Sequence, residues 1–414
     1  MRLPRMLRPL RIRDFALLWT GMTTSLVGDF VFFVAYPWQT YQLTNDPTVL
    51  GWISAAYVAP TVVFVTAGGV LTDRVERRKL MIGADAMRAT ATGVGAALAI
   101  THHLTLWELA LVVAVGGLGQ ALFGPAFGSI VPEIVPAAEL PQANALDQFV
   151  RTGAGLVGPA VAGVVIATAG AGWAFAIDAA TFVVSTATAL ALTPRPFERT
   201  DAPRSALREA REGWAFVRRH TWLWASLVGF ALANVASATR NVLLPFVIKN
   251  DLHESARTLG FVYAAASGGA LVTALAYGER GVPRRPIVSA YVAWTIAMAA
   301  LGGYGLSTGV AELVAFGVVS GAGLAVGNAL WSTLMHRLVP RELLGRVTSI
   351  DWMVSLALMP VASAGAGLLA GVVGSRATLA GAGLFAAGVN VLLLLGSPAL
   401  RGTRLEPAGE AAEA

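Results

Sequence analysis

Gly69-Val-Leu-Thr-Asp-Arg-Val-Glu-Arg-Arg-Lys-Leu-Met81 is a short charged turn set between two long apolar runs. Residues 49–71 before it carry no charge, and residues 82–102 after it carry only Asp85 and Arg88. A helix needs about 20 apolar residues to cross the hydrocarbon core of a bilayer, so two such runs joined by a tight basic turn read as a pair of spans. Within the turn, a glycine allows close helix approach, a carboxylate can face a helix N-terminus, and arginines can pair with acids. The same arginines also fit a purely topological role, as the basic residues that stay on the cytoplasmic side.

Composition extends this reading to the whole chain. Of 414 residues, 56% are hydrophobic and 13% charged, with a mean hydropathy of +0.65, whereas about 25% of residues in soluble domains are charged. The chain therefore reads as an all-α integral membrane protein. Its net charge of +6 is nearly all arginine gathered in particular loops. Positive-inside topology accounts for that, and nucleic acid is not an expected partner. The absence of cysteine excludes disulfides, thiolate metal sites and cysteine nucleophiles. The sequence holds no P-loop and no His-Glu-x-x-His spacing. His102-His103 falls in a short loop, no nucleophile, base and orienter can be assembled, and neither a metal site nor an enzyme is expected. Basic residues from Arg2 to Arg13 precede the first span without a small-residue cleavage site, so a retained first helix is read in place of a signal peptide.

Apolar windows place about twelve spans, at residues 14–41, 48–71, 79–101, 105–130, 143–169, 172–194, 221–249, 255–279, 286–305, 309–335, 346–372 and 376–398. Arginine-rich segments at the N-terminus and at 74–79, 195–219, 280–285, 337–346 and 401–404 all fall on one side. Both termini are accordingly expected in the cytoplasm. Residues 132–142 depart from the pattern, with Glu133 and Glu139 and no basic residue. The organisation is a six-helix half at 1–194, a cytoplasmic linker at 195–220, a second six-helix half at 221–398 and a tail at 399–414. Linker residues 204–219, with Leu207, Trp214, Phe216 and Val217, form either an interfacial amphipathic helix or a solvated connector. The end of the tail, from Glu406 to Ala414, reads as disordered.

The halves repeat. Ser129-Ile-Val-Pro-Glu-Ile-Val-Pro136 followed by Asp147 aligns without a gap to Thr333-Leu-Met-His-Arg-Leu-Val-Pro340 followed by Asp351. Ala35-Tyr-Pro-Trp38 with Leu50-Gly-Trp52 echoes Leu244-Pro-Phe246 with Leu259-Gly-Phe261, with one residue inserted. Two pseudo-symmetric halves of this kind put a substrate path between them near the midplane.

Ionisable residues inside spans are costly and mark functional positions. Asp29 and Asp178 fall in the outer half of their spans, Asp147 and Asp351 in the inner half. A carboxylate that gains a proton loses its charge, which is the chemistry a proton-coupled carrier needs. Asp29 has no partner within its own helix and is the first candidate for coupling, the alternatives being an interhelical hydrogen bond or a packing role within the first half. Asp351 is the second, with Trp352 and Met353 beside it to touch an apolar substrate. Asp147 and Arg151, four apart, either neutralise each other or take part in coupling. Asp85 and Arg88, three apart, read as a structural pair. Arg240 either snorkels to the interface or serves as counter-ion to Asp29 or to an anionic substrate. Gly155, Gly158, Pro159 and Gly163 make a small-residue strip that permits close packing, with Pro159 able to bend the helix.

These features resemble the major facilitator superfamily. Gly69, Leu71, Asp73, Arg74, Arg77 and Arg78 match its loop signature Gly-x-Leu-x-Asp-Arg-x-Gly-Arg-Arg, with Glu76 in place of one glycine. The Gly155 strip is similar to its exporter motif Gly-x-x-x-Gly-Pro-x-x-Gly-Gly, with Ala154 and Ala162 replacing two glycines. Ala84-Asp-Ala-Met-Arg88, Phe123-Gly-Pro125, Ala143-Asn-Ala-Leu146 and Ile177-Asp-Ala-Ala-Thr-Phe182 resemble the branch of enterobactin exporters and macrolide-efflux proteins. The resemblance implies a secondary transporter that rocks between inward- and outward-open states. It also implies a gating latch of Asp73, Arg77 and Glu133. Proton-linked members commonly carry an arginine three residues before a glutamine in the fourth span, where this chain has Gly117 before Gln120.

The function expected is export of an amphipathic small molecule by proton antiport, with the proton gradient as energy source and no bound cofactor. A monomer in the bacterial inner membrane is expected, with the lipid bilayer and a small-molecule substrate as its partners. Import, passive facilitation and lipid flipping are permitted by the same architecture.

Overall fold

The computed structural model describes residues 5–72, 74–193, 206–280 and 282–402, and no strand occurs among them. The first half holds α1 (Arg13–Leu43), α2 (Pro47–Thr72), α3 (Arg77–Ile100), α4 (Leu106–Ile134), α5 (Leu140–Ala169) and α6 (Ala171–Leu190). A linker helix α7 (Ala206–Arg219) follows, then α8 (Thr221–Phe246), α9 (Ala256–Arg280), α10 (Pro286–Leu306), α11 (Val310–Leu338), α12 (Arg341–Ala357), α13 (Met359–Val373) and α14 (Ser375–Gly396). Among the described residues eleven stretches are long and apolar enough to cross a membrane, one of them α12 and α13 taken together. Helix α3 is long enough as well, but Asp85 and Arg88, with the glycines and threonines around them, leave it less apolar than the other spans. Helix ends fall within a few residues of those expected from the apolar windows, with one exception. The eleventh span is two helices, broken at Leu358, because Pro360 has no N–H to give and its ring crowds the carbonyl of Leu356.

Local signals repeat along with the helices. Gly170 (φ 94°) joins α5 to α6, and Gly374 (φ 86°) joins α13 to α14, each in the left-handed region that glycine enters without steric cost. At the start of α4, Glu108 accepts from the Thr105 backbone N–H at 2.8 Å; before α11, Glu312 accepts from the Thr308 N–H at 2.6 Å. These bonds satisfy donors that the helix itself leaves unpaired.

The chain divides into two compact units, Met1–Asp201 with Pro245–Ala264, and Ala202–Leu244 with Ala265–Ala414. In the first, α1 packs on α5 and α6, α2 on α4, and α3 on α4 and α6. In the second, α10 packs on α11 and α14, α12 on the linker helix α7, and α13 on α14. Helix α7 is amphipathic: Val217 is buried while Arg211, Trp214 and Arg218 are exposed. It lies close on α12, since a Cβ on Gly213 would meet Ile350 Cδ1 at 3.0 Å, and Glu212 pairs with Arg346 at 2.5 Å.

Candidate functional site

Arg88 on α3 is 1% exposed, and the polar heart of the first unit forms around it. It pairs with Asp85 one turn earlier, as the three-residue spacing predicts. It also reaches Asp29 Oδ1 on α1 at 3.4 Å and donates to Gln120 Oε1 on α4 at 3.3 Å. The rings of Phe123 and Phe182 cover the guanidinium, with centroids 5.0 and 4.2 Å away, a cation–π arrangement. Gly119 makes room for the arginine stem, because a Cβ there would run into Arg88 Cγ. Asp178 on α6, 1% exposed, borders the same cluster. A Cβ on Gly28 would stand 2.6 Å from Asp178 Oδ1, so the bare backbone at Gly28 lets α1 close against α6. A lone arginine at the centre of a span costs about 2.5–3.5 kcal/mol on insertion scales. Carboxylates from Asp29 and Asp85 offset that here.

Gly117, the position at which the resemblance would place an arginine in a proton-linked carrier, has no room for any side chain. A Cβ there would strike the carbonyl of Tyr57 on α2, and Thr61 donates to Gly117 O at 3.0 Å across the same seam. The guanidinium beside Gln120 comes instead from the third helix. The local Asp85–Arg88 spacing hides this in the sequence, since one carboxylate already accounts for the charge.

The second unit contains the same arrangement with the charge removed. Trp294 on α10 is 1% exposed and donates from Nε1 to Asn328 Oδ1 on α11 at 3.2 Å. Gly327 makes room for the indole as Gly119 does for Arg88. Phe230 on α8 holds the place of Asp29, its ring 5.8 Å from Trp294. Asn390 on α14 holds the place of Asp178: a Cβ on Gly229 would stand 2.9 Å from its Oδ1, and its Nδ2 donates to Tyr291 O at 3.0 Å and to Thr295 Oγ1 at 2.9 Å. The dipeptides Gly28-Asp29 against Gly229-Phe230, and Gly119-Gln120 against Gly327-Asn328, are the sequence signal for this correspondence.

The repeat-related acids differ in the opposite sense. Asp147 on α5 accepts from Arg151 Nε at 2.9 Å. Asp351 on α12 accepts from Trp331 Nε1 at 3.0 Å and Ser355 Oγ at 3.4 Å, and no cation among the described residues pairs with it. In the first unit a cavity of about 240 Å³ is lined by Trp19, Asn144, Asp147 and Arg151 among others. A smaller one reaches Asp29 and Gln120, and the two share Gly124, Phe127 and Arg151.

Of the expected latch, Arg77 at the start of α3 pairs with Glu133 near the end of α4. Arg78 caps α6, donating to Ala189 O at 2.9 Å and Leu190 O at 2.6 Å, where a cation also meets the negative end of the helix dipole. Arg74 is exposed, Gly69 lies in the last turns of α2, and Asp73 lies outside the described residues. The expected tail at 406–414 and the linker before α7, residues 195–205, lie outside them too. Gly155, Gly158, Pro159 and Gly163 are all buried on α5. Gly158 faces Phe30 of α1, a Cβ there standing 2.5 Å from Phe30 Cβ, while Gly163 and Pro159 receive Gly260 of α9, with a Cβ on Gly260 2.9 Å from Gly163 Cα. Beside this seam Asn250 accepts from Tyr41 Oη and donates to Asn45 Oδ1, both at 2.9 Å. Arg240 donates to Asn241 Oδ1 at 2.8 Å, and Trp352 is 63% exposed.

A family model described as transmembrane secretion effector matches residues 5–412. Macrolide efflux protein A of Streptococcus pyogenes is 25% identical over 351 residues, covering 84% of this chain and 87% of that protein. Enterobactin exporter EntS of Citrobacter koseri is 30% identical over 380 residues, covering 88% and 87%. Among solved structures, a bacterial homologue of the iron transporter ferroportin in an inward-facing state superimposes with a TM-score of 0.70 at 16% identity, covering 93% of this chain and 98% of that one. A POT family transporter in complex with 5-aminolevulinic acid gives 0.73 at 12% identity, covering 94% and 96%. At such identities the structural matches speak for the fold.

Proposed function

The chain belongs to the major facilitator superfamily, within its transmembrane secretion effectors, as a multi-pass membrane transporter, and we propose that it exports an amphipathic small molecule in exchange for protons. In this reading the membrane is the bacterial inner membrane with both termini in the cytoplasm, an orientation that the arginine-rich loops support. Relatives named for macrolide and enterobactin export support the direction of transport.

Coupling rests on one observation: the first unit has Asp29 ion-paired to a buried arginine where the second has Phe230 against Trp294. A proton arriving at Asp29 removes the charge that ties α1 to α3, and its departure restores the tie. A group whose interhelical bond depends on its proton can bias two arrangements of the helices, which is what antiport by alternating access needs. Asp29 also lines a cavity of about 30 Å³, room for a water beside the carboxylate. The loop from Gly69 to Arg78, with Asp73 and the Arg77–Glu133 pair, serves as the latch on the cytoplasmic side.

Everted vesicles with an imposed pH gradient test this, using a macrolide and enterobactin as probes and proton release as readout. Wild-type chain releases protons when a transported probe is added. Asp29→Asn reaches the membrane in equal amount and releases none. Proton exchange undiminished in Asp29→Asn would take the coupling role away from Asp29.

A further inference from the structure

Asp147 and Asp351 occupy the same place in the two repeats, yet their charges are met differently. Four residues beyond Asp147 stands Arg151, which neutralises it at 2.9 Å. Four residues beyond Asp351 stands Ser355, a neutral donor at 3.4 Å. The other Asp351 oxygen takes the Trp331 N–H, also neutral. Trp331 is itself held firmly, its ring 5.9 Å from Trp222 and 6.1 Å from Trp294, so the carboxylate is aimed and not merely accommodated. Asp351 is only partly buried, and the adjacent Trp352 and Met353 expose more than half of their surface. An anion within a span, fixed by two uncharged donors and with no cation among the described residues, carries a desolvation cost that an incoming positive charge would relieve.

We propose that Asp351 recognises the cationic centre of the exported molecule, which makes the substrate class an amphipathic organic cation such as a protonated amine on an apolar body. This deepens the exporter reading and rests on it. The carboxylate supplies the counter-charge, while Trp331 and Ser355 keep it oriented toward the ligand. Trp352 and Met353 offer apolar and aromatic surface for the body of the molecule, and an indole face also attracts cations.

Equilibrium dialysis on the purified full-length chain tests this with tetraphenylphosphonium as the cationic probe and triphenylphosphine oxide as a neutral one. The wild type is expected to bind the cation at least about tenfold more tightly than the neutral probe, a difference in binding constant equal to about 1.4 kcal/mol. Asp351→Asn, close to isosteric, loses that preference without changing affinity for the neutral probe; Asp351→Glu keeps it. Ser355→Arg, which recreates the arrangement of the first repeat, abolishes cation binding while the elution profile stays monodisperse. Absence of cation binding by the wild type, or equal cation binding by wild type and Asp351→Asn, overturns the proposal. Because the assay involves no gradient, Asp351-dependent cation binding without pH-driven transport would defeat the antiport reading and leave this one standing. Proton-coupled transport with no role for Asp351 would do the reverse.

Discussion

The Arg88 site of the first unit and the Trp294 site of the second are built on one plan from different chemistry. Each hub is almost wholly buried, each is admitted by a glycine, and each is bonded to the side-chain amide that follows that glycine. Around Arg88 stand Asp29, Asp85 and Asp178; around Trp294 stand Phe230, Tyr291 and Trp331. A duplicated fold has thus kept the space and exchanged its contents. An aromatic hub held by packing and one neutral hydrogen bond is indifferent to protons. A guanidinium among carboxylates is held by charge, and its neighbours change their interaction whenever a proton is gained or lost. The fold alone does not require this difference, so the charged site is where function is to be sought.

The comparison can be broken most forcefully at the charged hub. Arg88→Met leaves buried carboxylates without their counter-ion and should cost about 3–5 kcal/mol, the range for removing one partner of a buried pair. Thermal unfolding in detergent should show a marked fall in midpoint, and Asp29→Asn with Asp85→Asn added to Arg88→Met should recover much of it. If the triple variant is no more stable than Arg88→Met, the acids are not held by that arginine.

At the neutral hub the effect should be smaller. Trp294→Phe keeps a ring but removes the N–H bond to Asn328, an exposed partner, a loss of about 0.5–1.5 kcal/mol. Its thermal midpoint should fall while the pH dependence of transport keeps its shape. A shifted pH profile in Trp294→Phe would mean that the second site also handles protons. The smallest effect belongs to the partly exposed pair on α5. Arg151→Gln should alter stability by no more than about 0.5 kcal/mol, since such i,i+4 pairs contribute little. A larger loss in the same melting assay would show that Arg151 is tied into the Arg88 cluster through the cavity they border.

Much of the fold is legible in the amino-acid order because the bilayer imposes a coarse rule, long apolar runs punctuated by charge. Pro60, Pro125 and Pro159 sit within continuous helices, however, whereas Pro360 accompanies a break, and nothing in the local text separates the two cases. Among site residues, Asp29 and Gln120 stand out in the sequence as polar groups in apolar runs, and the structure brings both to Arg88. Arg88 itself is masked by Asp85, a sufficient local explanation that conceals two long-range partners. The glycines beside the hubs were readable only as packing residues, because which helix presses on Gly117, Gly119 or Gly327 depends on pairings far apart in the chain. Asp147 and Asp351 align at once, but the contrast between them appears only when the residues four positions on, Arg151 and Ser355, are set side by side.

The interruption at Leu358 lies two turns beyond Asp351 on the same span. A continuous rod must give up backbone bonds in order to flex inside hydrocarbon, where no water replaces them. Here one such bond is already missing, so an elbow at this point bends at little further cost. Helix α13 can therefore swing while Asp351 on α12 stays bonded to Trp331 and Ser355.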